Sequence, residues 1–171
     1  MVTAASLSPR AQLASFIRKY SPRVAADGRA VLTTMRRRLP GATQFVYDNF
    51  QWLVVGFGPN DRPSDAVFSV VFTPNWITLC FLQDASTLAD PMRLLSGSGK
   101  VVRSVRLSSP RDLDAPAMRE VIREAVSRDW GPLRRSRHSP LLIRAIAKRQ
   151  RPRRPVVAVG RRATSAAVSR K

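Results

Sequence analysis

The chain has one cysteine, Cys80, and one histidine, His138, among 171 residues. A lone cysteine excludes an intrachain disulfide and a cysteine-based zinc site. Because the only imidazole stands at position 138, the first 126 residues lack a side chain that ordinarily titrates near neutral pH. Nucleophilic catalysis of the Ser-His or Cys-His kind is thereby excluded in that stretch. Carboxylates are scarce too, with 11 Asp and Glu against 30 Lys and Arg. No paired-carboxylate motif points to acid–base chemistry. Glu120 and Glu124 lie four apart, but Arg119 and Arg123 flank them, which reads as a salt-bridged helix face rather than a cation site. The longest apolar runs, such as Ile77 to Leu82 with Thr78 inside, are far shorter than the roughly 20 residues that cross a bilayer. Met1 to Arg10 has no apolar stretch of the secretory-signal kind. These absences lead us to expect a cytoplasmic, non-enzymatic protein without cofactor or metal.

What the chain does have is positive charge, unevenly placed. Residues 1–126 hold 16 Lys and Arg and 10 acids, a balance of +6; residues 127–171 hold 14 Lys and Arg and only Asp129, a balance of +13. Abundant Arg, Ala and Pro suit a GC-rich coding bias, but such a bias does not explain why the acids stop at Asp129. A segment so charged and so poor in large apolar residues cannot bury enough surface to offset its ordering entropy. The expected division is a domain over 9–127 and an Arg-rich, mostly disordered tail over 128–171. Within the tail, Leu142, Ile143 and Ile146 suggest a short basic helix at 140–148. Arginine forks suit phosphate, so Arg134, Arg135, Arg137, Arg149, Arg151, Arg153, Arg154, Arg161 and Arg162 are candidate nucleic-acid contacts.

The domain reads as α+β: two N-terminal helices, an antiparallel sheet of about five strands and a C-terminal helix. Ser8-Pro9 and Ser21-Pro22 are helix starts, each a hydroxyl N-cap before a proline at the first helical position. Leu13, Phe16, Ile17 and Tyr20 form one apolar stripe, and Val24, Val31, Leu32, Met35 and Leu39 the next. Gly28 weakens the second helix by about 1 kcal/mol relative to Ala. Strand-like runs follow at 43–47, 51–57, 66–73, 76–82 and 101–107, with a tight turn at Pro74-Asn75. Met118, Val121, Ile122 and Ala125 mark the last helix, capped by Asp112 or Asp114.

Few residues carry specific chemistry. Gly97-Ser98-Gly99-Lys100 is not a P-loop, because Leu94 and Val101 stand where that motif needs Gly and Ser or Thr. It remains a loop able to hold an anion with its backbone amides and Lys100. Arg103 shares the core-facing side of its strand with Val105 and Leu107, so it needs either a carboxylate such as Asp48 or Asp84, an anionic ligand, or a route to solvent. Tyr47 and Asp48 lie at a turn. Together with Lys100, Arg103 and Arg106 they form a candidate site for a small anionic ligand. Cys80, Trp52 and Trp76 read as core residues.

Several landmarks together resemble the YdhG-like family, a bacterial domain of unknown function. They are Phe16-Ile17-Arg18-Lys19-Tyr20-Ser21-Pro22, Tyr47-Asp48-Asn49 with the Trp52 to Gly56 strand, and Arg62-Pro63-Ser64-Asp65. Further on come Trp76-Ile77-Thr78-Leu79 with Phe81-Leu82, Leu95 to Lys100, Arg103 to Leu107 and Asp112-Leu113-Asp114. The resemblance covers roughly residues 11–126 and implies an α+β fold. Some family members have been likened to frataxin-type iron chaperones, a role that depends on an acidic surface; this domain is net basic. Where family members often carry His, this chain has Ser104. The resulting expectation is a non-enzymatic YdhG-like domain whose tail contacts nucleic acid, with a small-ligand or iron carrier as the alternative.

Overall fold

A computed structural model describes residues 7–131 and 139–156. Two helices open it, α1 (Pro9–Ile17) and α2 (Pro22–Arg38). The Ser8 and Ser21 hydroxyls accept from the amides of Ala11 and Val24, and a proline holds the first helical position each time. The hydroxyl satisfies one of the amides that a helix start leaves unpaired. Five antiparallel strands follow as a meander: β1 (Thr43–Asp48), β2 (Leu53–Gly58), β3 (Phe68–Phe72), β4 (Ile77–Phe81) and β5 (Arg103–Leu107). A 3₁₀ turn at Pro110–Asp114 leads into α3 (Pro116–Asp129). Asp112 closes a capping box with Ser109 on that turn, so it does not cap α3 itself.

The sheet is packed on one side. Val46, Val55, Val70 and Leu79 stand in register across four strands and join the helix stripes in a single core. α2 approaches β3 so closely that a Cβ on Gly28 would overlap the Phe72 ring. Gly28 therefore gives up helix propensity for close packing of helix on sheet. On the opposite face stand Tyr47, Val54, Val71, Thr78, Cys80 and Arg106, most of them half-buried.

The α+β architecture is the one the sequence describes, but the start of the tail is not. Leu141–Ile146 is a strand, β6, not a helix, and it lies parallel to β1 at the sheet edge in the order β5-β4-β3-β2-β1-β6. The sheet is thus six-stranded and mixed. An edge strand presents a row of unpaired N–H and C=O groups. A short helix in water is marginal, so a Leu/Ile-rich segment gains more by pairing with β1. The Gln44 amide donates to Pro140 O at 2.8 Å, and the Ala147 amide to Asp48 O at 2.8 Å. Leu141 and Ile143 pack on the core, while a bulge leaves Arg144 unpaired and exposed. Of the expected disordered tail, residues 139–156 instead form this strand and an ordered strap.

Candidate nucleic-acid interface

Alternation along β1 turns Gln44, Val46 and Asp48 toward the helices. Asp48 is completely buried, and two cations meet it there. Lys19 Nζ lies 2.6 Å from Oδ2, and Arg153 Nη2 lies 2.8 Å from Oδ1. The strap brings Arg153 105 residues along the chain from Asp48 to do this. Gln150 secures the same corner, accepting from Lys19 Nζ at 2.8 Å and donating to Asp48 O at 3.2 Å. The Arg151 amide donates to Phe50 O at 2.8 Å, and Arg153 also donates to Asn49 O. The Arg153 side chain is only 3% exposed and lies over the Tyr20 ring, 5.8 Å from its centroid, and among the described residues its Nε and Nη1 find no hydrogen-bond partner. A buried carboxylate is costly unless paired; here it holds the strap down.

Arg153 is therefore a structural residue and is not free to meet phosphate. Its neighbours Arg149, Arg151 and Arg154 are exposed, as are Arg144 and Lys148. Arg151 rests over the Phe50 ring at 5.8 Å, and Arg154 donates to Lys19 O at 3.3 Å. Arg134, Arg135, Arg137, Arg161 and Arg162 lie outside the described residues. All 11 acidic side chains of the chain fall within the described residues. Asp27, Asp114, Glu120 and Glu124 pair with Arg23, Arg38, Arg123 and Arg128, and Asp90 and Asp112 accept backbone amides. Asp65, Asp84 and Asp129 line one cleft with Arg128, where burial lifts the Asp129 carboxyl above its usual range. Hydrogen bonds from Asn60 and Ser64 lower Asp65. None of the described ion pairs involves Arg144, Lys148, Arg149, Arg151 or Arg154. The β6 edge is thus cationic and unneutralised.

The other candidate residues do not converge. Tyr47 and Asp48, adjacent on β1, face opposite sides of the sheet. β1 and β5 are separated by three strands, about 19 Å at ~4.8 Å per spacing, which places Lys100, Arg103 and Arg106 far from Tyr47. Arg103 reaches neither Asp48 nor Asp84; its guanidinium donates to the carbonyls of Gly99 and Val102, closing the loop before β5 on itself. Arg106 stacks on Trp76, with Cζ 3.9 Å from the ring centroid, on the face away from the helices. Trp52 is 42% exposed, so it is not a core residue as its strand context suggests. Burial raises the Cys80 thiol above its usual value, partly offset by Ser69. Among the described residues no three His, Cys, Asp or Glu side chains gather as metal ligands. No described helix is long and apolar enough to cross a membrane. Comparison with protein-family models, curated proteins and solved structures finds no match to this chain.

Proposed function

We propose that this chain is a YdhG-like domain that binds nucleic acid without sequence preference through the cationic edge of β6 and its strap. The observation that carries the reading is that Arg144, Lys148, Arg149, Arg151 and Arg154 are exposed along one edge and lack carboxylate partners. Arginines already held to carboxylates would have to break those pairs before meeting phosphate; these would not. Binding of this kind draws its free energy from counterion release, so log K falls linearly with log salt.

Deleting the tail is a poor test, because it removes an edge strand and strips Asp48 of Arg153. The triple variant R144Q/K148Q/R149Q keeps both. Fluorescence anisotropy across a salt series should show weaker binding and a shallower salt slope. The slope should fall by about 0.9 for each phosphate no longer neutralised on duplex DNA, or about 0.7 on a single strand. An unchanged affinity and slope in the triple variant would defeat the proposal.

A further inference from the structure

A second group of unmatched arginines lies at the other end of the β1–β6 edge. α1 and α2 each present an arginine followed at helical spacing by an apolar and a small residue, the α1 set ending on Ile17 and the α2 set on a second arginine. On α1 these are Arg10, Leu13, Ala14 and Ile17; on α2 they are Arg29, Leu32, Thr33 and Arg36. Positions i, i+3, i+4 and i+7 share one helix face, and the fold turns both faces into one cleft of about 240 Å³, closed by Gln44 and Leu141. Leu13, Ile17 and Leu32 supply a buried apolar floor. Arg10, Arg29 and Arg36 bring three positive charges to the cleft.

Arg36 is half-buried, and its Nε donates to Gln44 Oε1 at 2.7 Å. Gln44 is itself only 2% exposed, so a buried neutral amide, rather than a carboxylate, faces the half-buried Arg36 guanidinium. Burial, and then the neighbouring charge of Arg10, lower the Arg36 pKa from its ordinary value. None of the described ion pairs involves Arg10, Arg29 or Arg36. All Asp and Glu of this sequence lie among the described residues, and none of them pairs with these three arginines.

We propose that this cleft binds a small organic anion with an apolar body, of the short-chain or aromatic monocarboxylate class. The carboxylate takes the place of the absent acid beside Arg36, Arg10 and Arg29, since guanidinium forks suit carboxylate geometry. The apolar body meets Ala14 and Leu141, the half-buried apolar residues of the lining, rather than Leu13, Ile17 and Leu32, which the fold already covers. An apolar cavity of about 150 Å³ can take a benzene-sized molecule, so this cleft is large enough for a small organic anion. Inorganic phosphate has no group for this apolar lining, and a nucleic-acid strand crossing the rim leaves Ala14 and Leu141 uncovered. The site thus differs in chemistry and place from the β6 edge.

Calorimetry on the full chain with sodium hexanoate and sodium benzoate is the test, with hexan-1-ol and inorganic phosphate as controls. Saturable one-to-one binding of at least one carboxylate is expected, with both controls weaker by about tenfold or more. Arg36→Gln should weaken that binding by about tenfold. Arg29→Gln, at an exposed position, serves as the second variant should the first fail to fold; it should weaken binding several-fold, whereas Arg149→Gln leaves it unchanged. The proposal fails if neither carboxylate saturates by roughly 10 mM, beyond the weak end of specific binding. It fails equally if phosphate binds as well as the carboxylates, if a short oligonucleotide displaces them, or if Arg29→Gln binds like wild type.

Discussion

The two polar residues that β1 turns toward the helices, Gln44 and Asp48, make opposite use of arginine. They lie about 13 Å apart on one strand at ~3.3 Å per residue. At the Asp48 end a carboxylate meets Lys19 and Arg153, and the result fastens the strap to the domain. At the Gln44 end an amide meets Arg36, with Arg10 and Arg29 near the same cleft, and the positive charge is left uncompensated. The same side-chain type serves structure where the protein supplies the anion, and is available to a ligand where it does not. The exposed arginines of β6 and its strap belong with the second kind.

The largest effect should come from breaking the matched end. Asp48→Asn leaves Arg153 buried without its anion, and removing one partner of a buried pair costs about 3–5 kcal/mol. Urea denaturation should show that loss. The double replacement D48L/R153M should recover much of it, because well-packed apolar residues often replace a buried pair without penalty. Equal losses in the single and double variants would show that the pair itself, rather than the stranded charge, sustains the corner.

A smaller effect, of opposite sign, should follow from making the unmatched end resemble the matched one. Gln44→Glu places a carboxylate where Arg36 Nε now meets an amide oxygen. Replacing the neutral acceptor of a bond whose donor is already charged by a carboxylate should then add roughly 0.5–1.5 kcal/mol of stability, read as a higher urea midpoint at unchanged slope. Benzoate binding should vanish in the same variant, because the missing acid is now built in. A destabilised variant that still binds benzoate would break the comparison between the two ends.

How much of this was legible in the sequence depended on the range of the interaction. Ser8-Pro9 and Ser21-Pro22 set helix starts through bonds spanning three residues, and the apolar stripes depend on spacing alone. The turn at Pro74-Asn75 is equally local, with Thr73 Oγ1 accepting from the Asn75 and Trp76 amides. The strand character of Leu141–Ile146 comes instead from the unpaired edge of β1, about a hundred residues upstream, and no local pattern announces it. Arg153 stands among Arg149, Arg151 and Arg154 with nothing in its neighbourhood to mark it as the buried one. The strand pattern leaves Arg103 in need of a carboxylate, an anionic ligand or solvent, because it does not show that carbonyls of its own loop lie within reach. The repeated arginine-to-apolar spacing on α1 and α2 is visible in the sequence, but only the fold brings the two faces together.

The smallest effect concerns the residual charge of the matched end. Asp48 with Lys19 and Arg153 sums to one net positive charge beside Tyr20, whose hydroxyl donates to Phe72 O at 3.1 Å and accepts from the Leu53 amide at 2.9 Å. Burial raises the Tyr20 phenol above its ordinary value, the Leu53 amide and Arg153 oppose this, and Asp48 reinforces it. The folded state therefore holds the phenolic proton more tightly than the unfolded chain. It follows that stability is fully retained below the unfolded value, near pH 10, and declines as the pH rises above it. In a Tyr47→Phe background, where Tyr20 is the only tyrosine, phenolate absorbance should appear above that pH, and later than in urea-unfolded protein. A midpoint at or below the unfolded one would mean that the corner's spare positive charge outweighs desolvation. The Asp48 end would then be only partly matched, differing from the Gln44 end in degree rather than in kind.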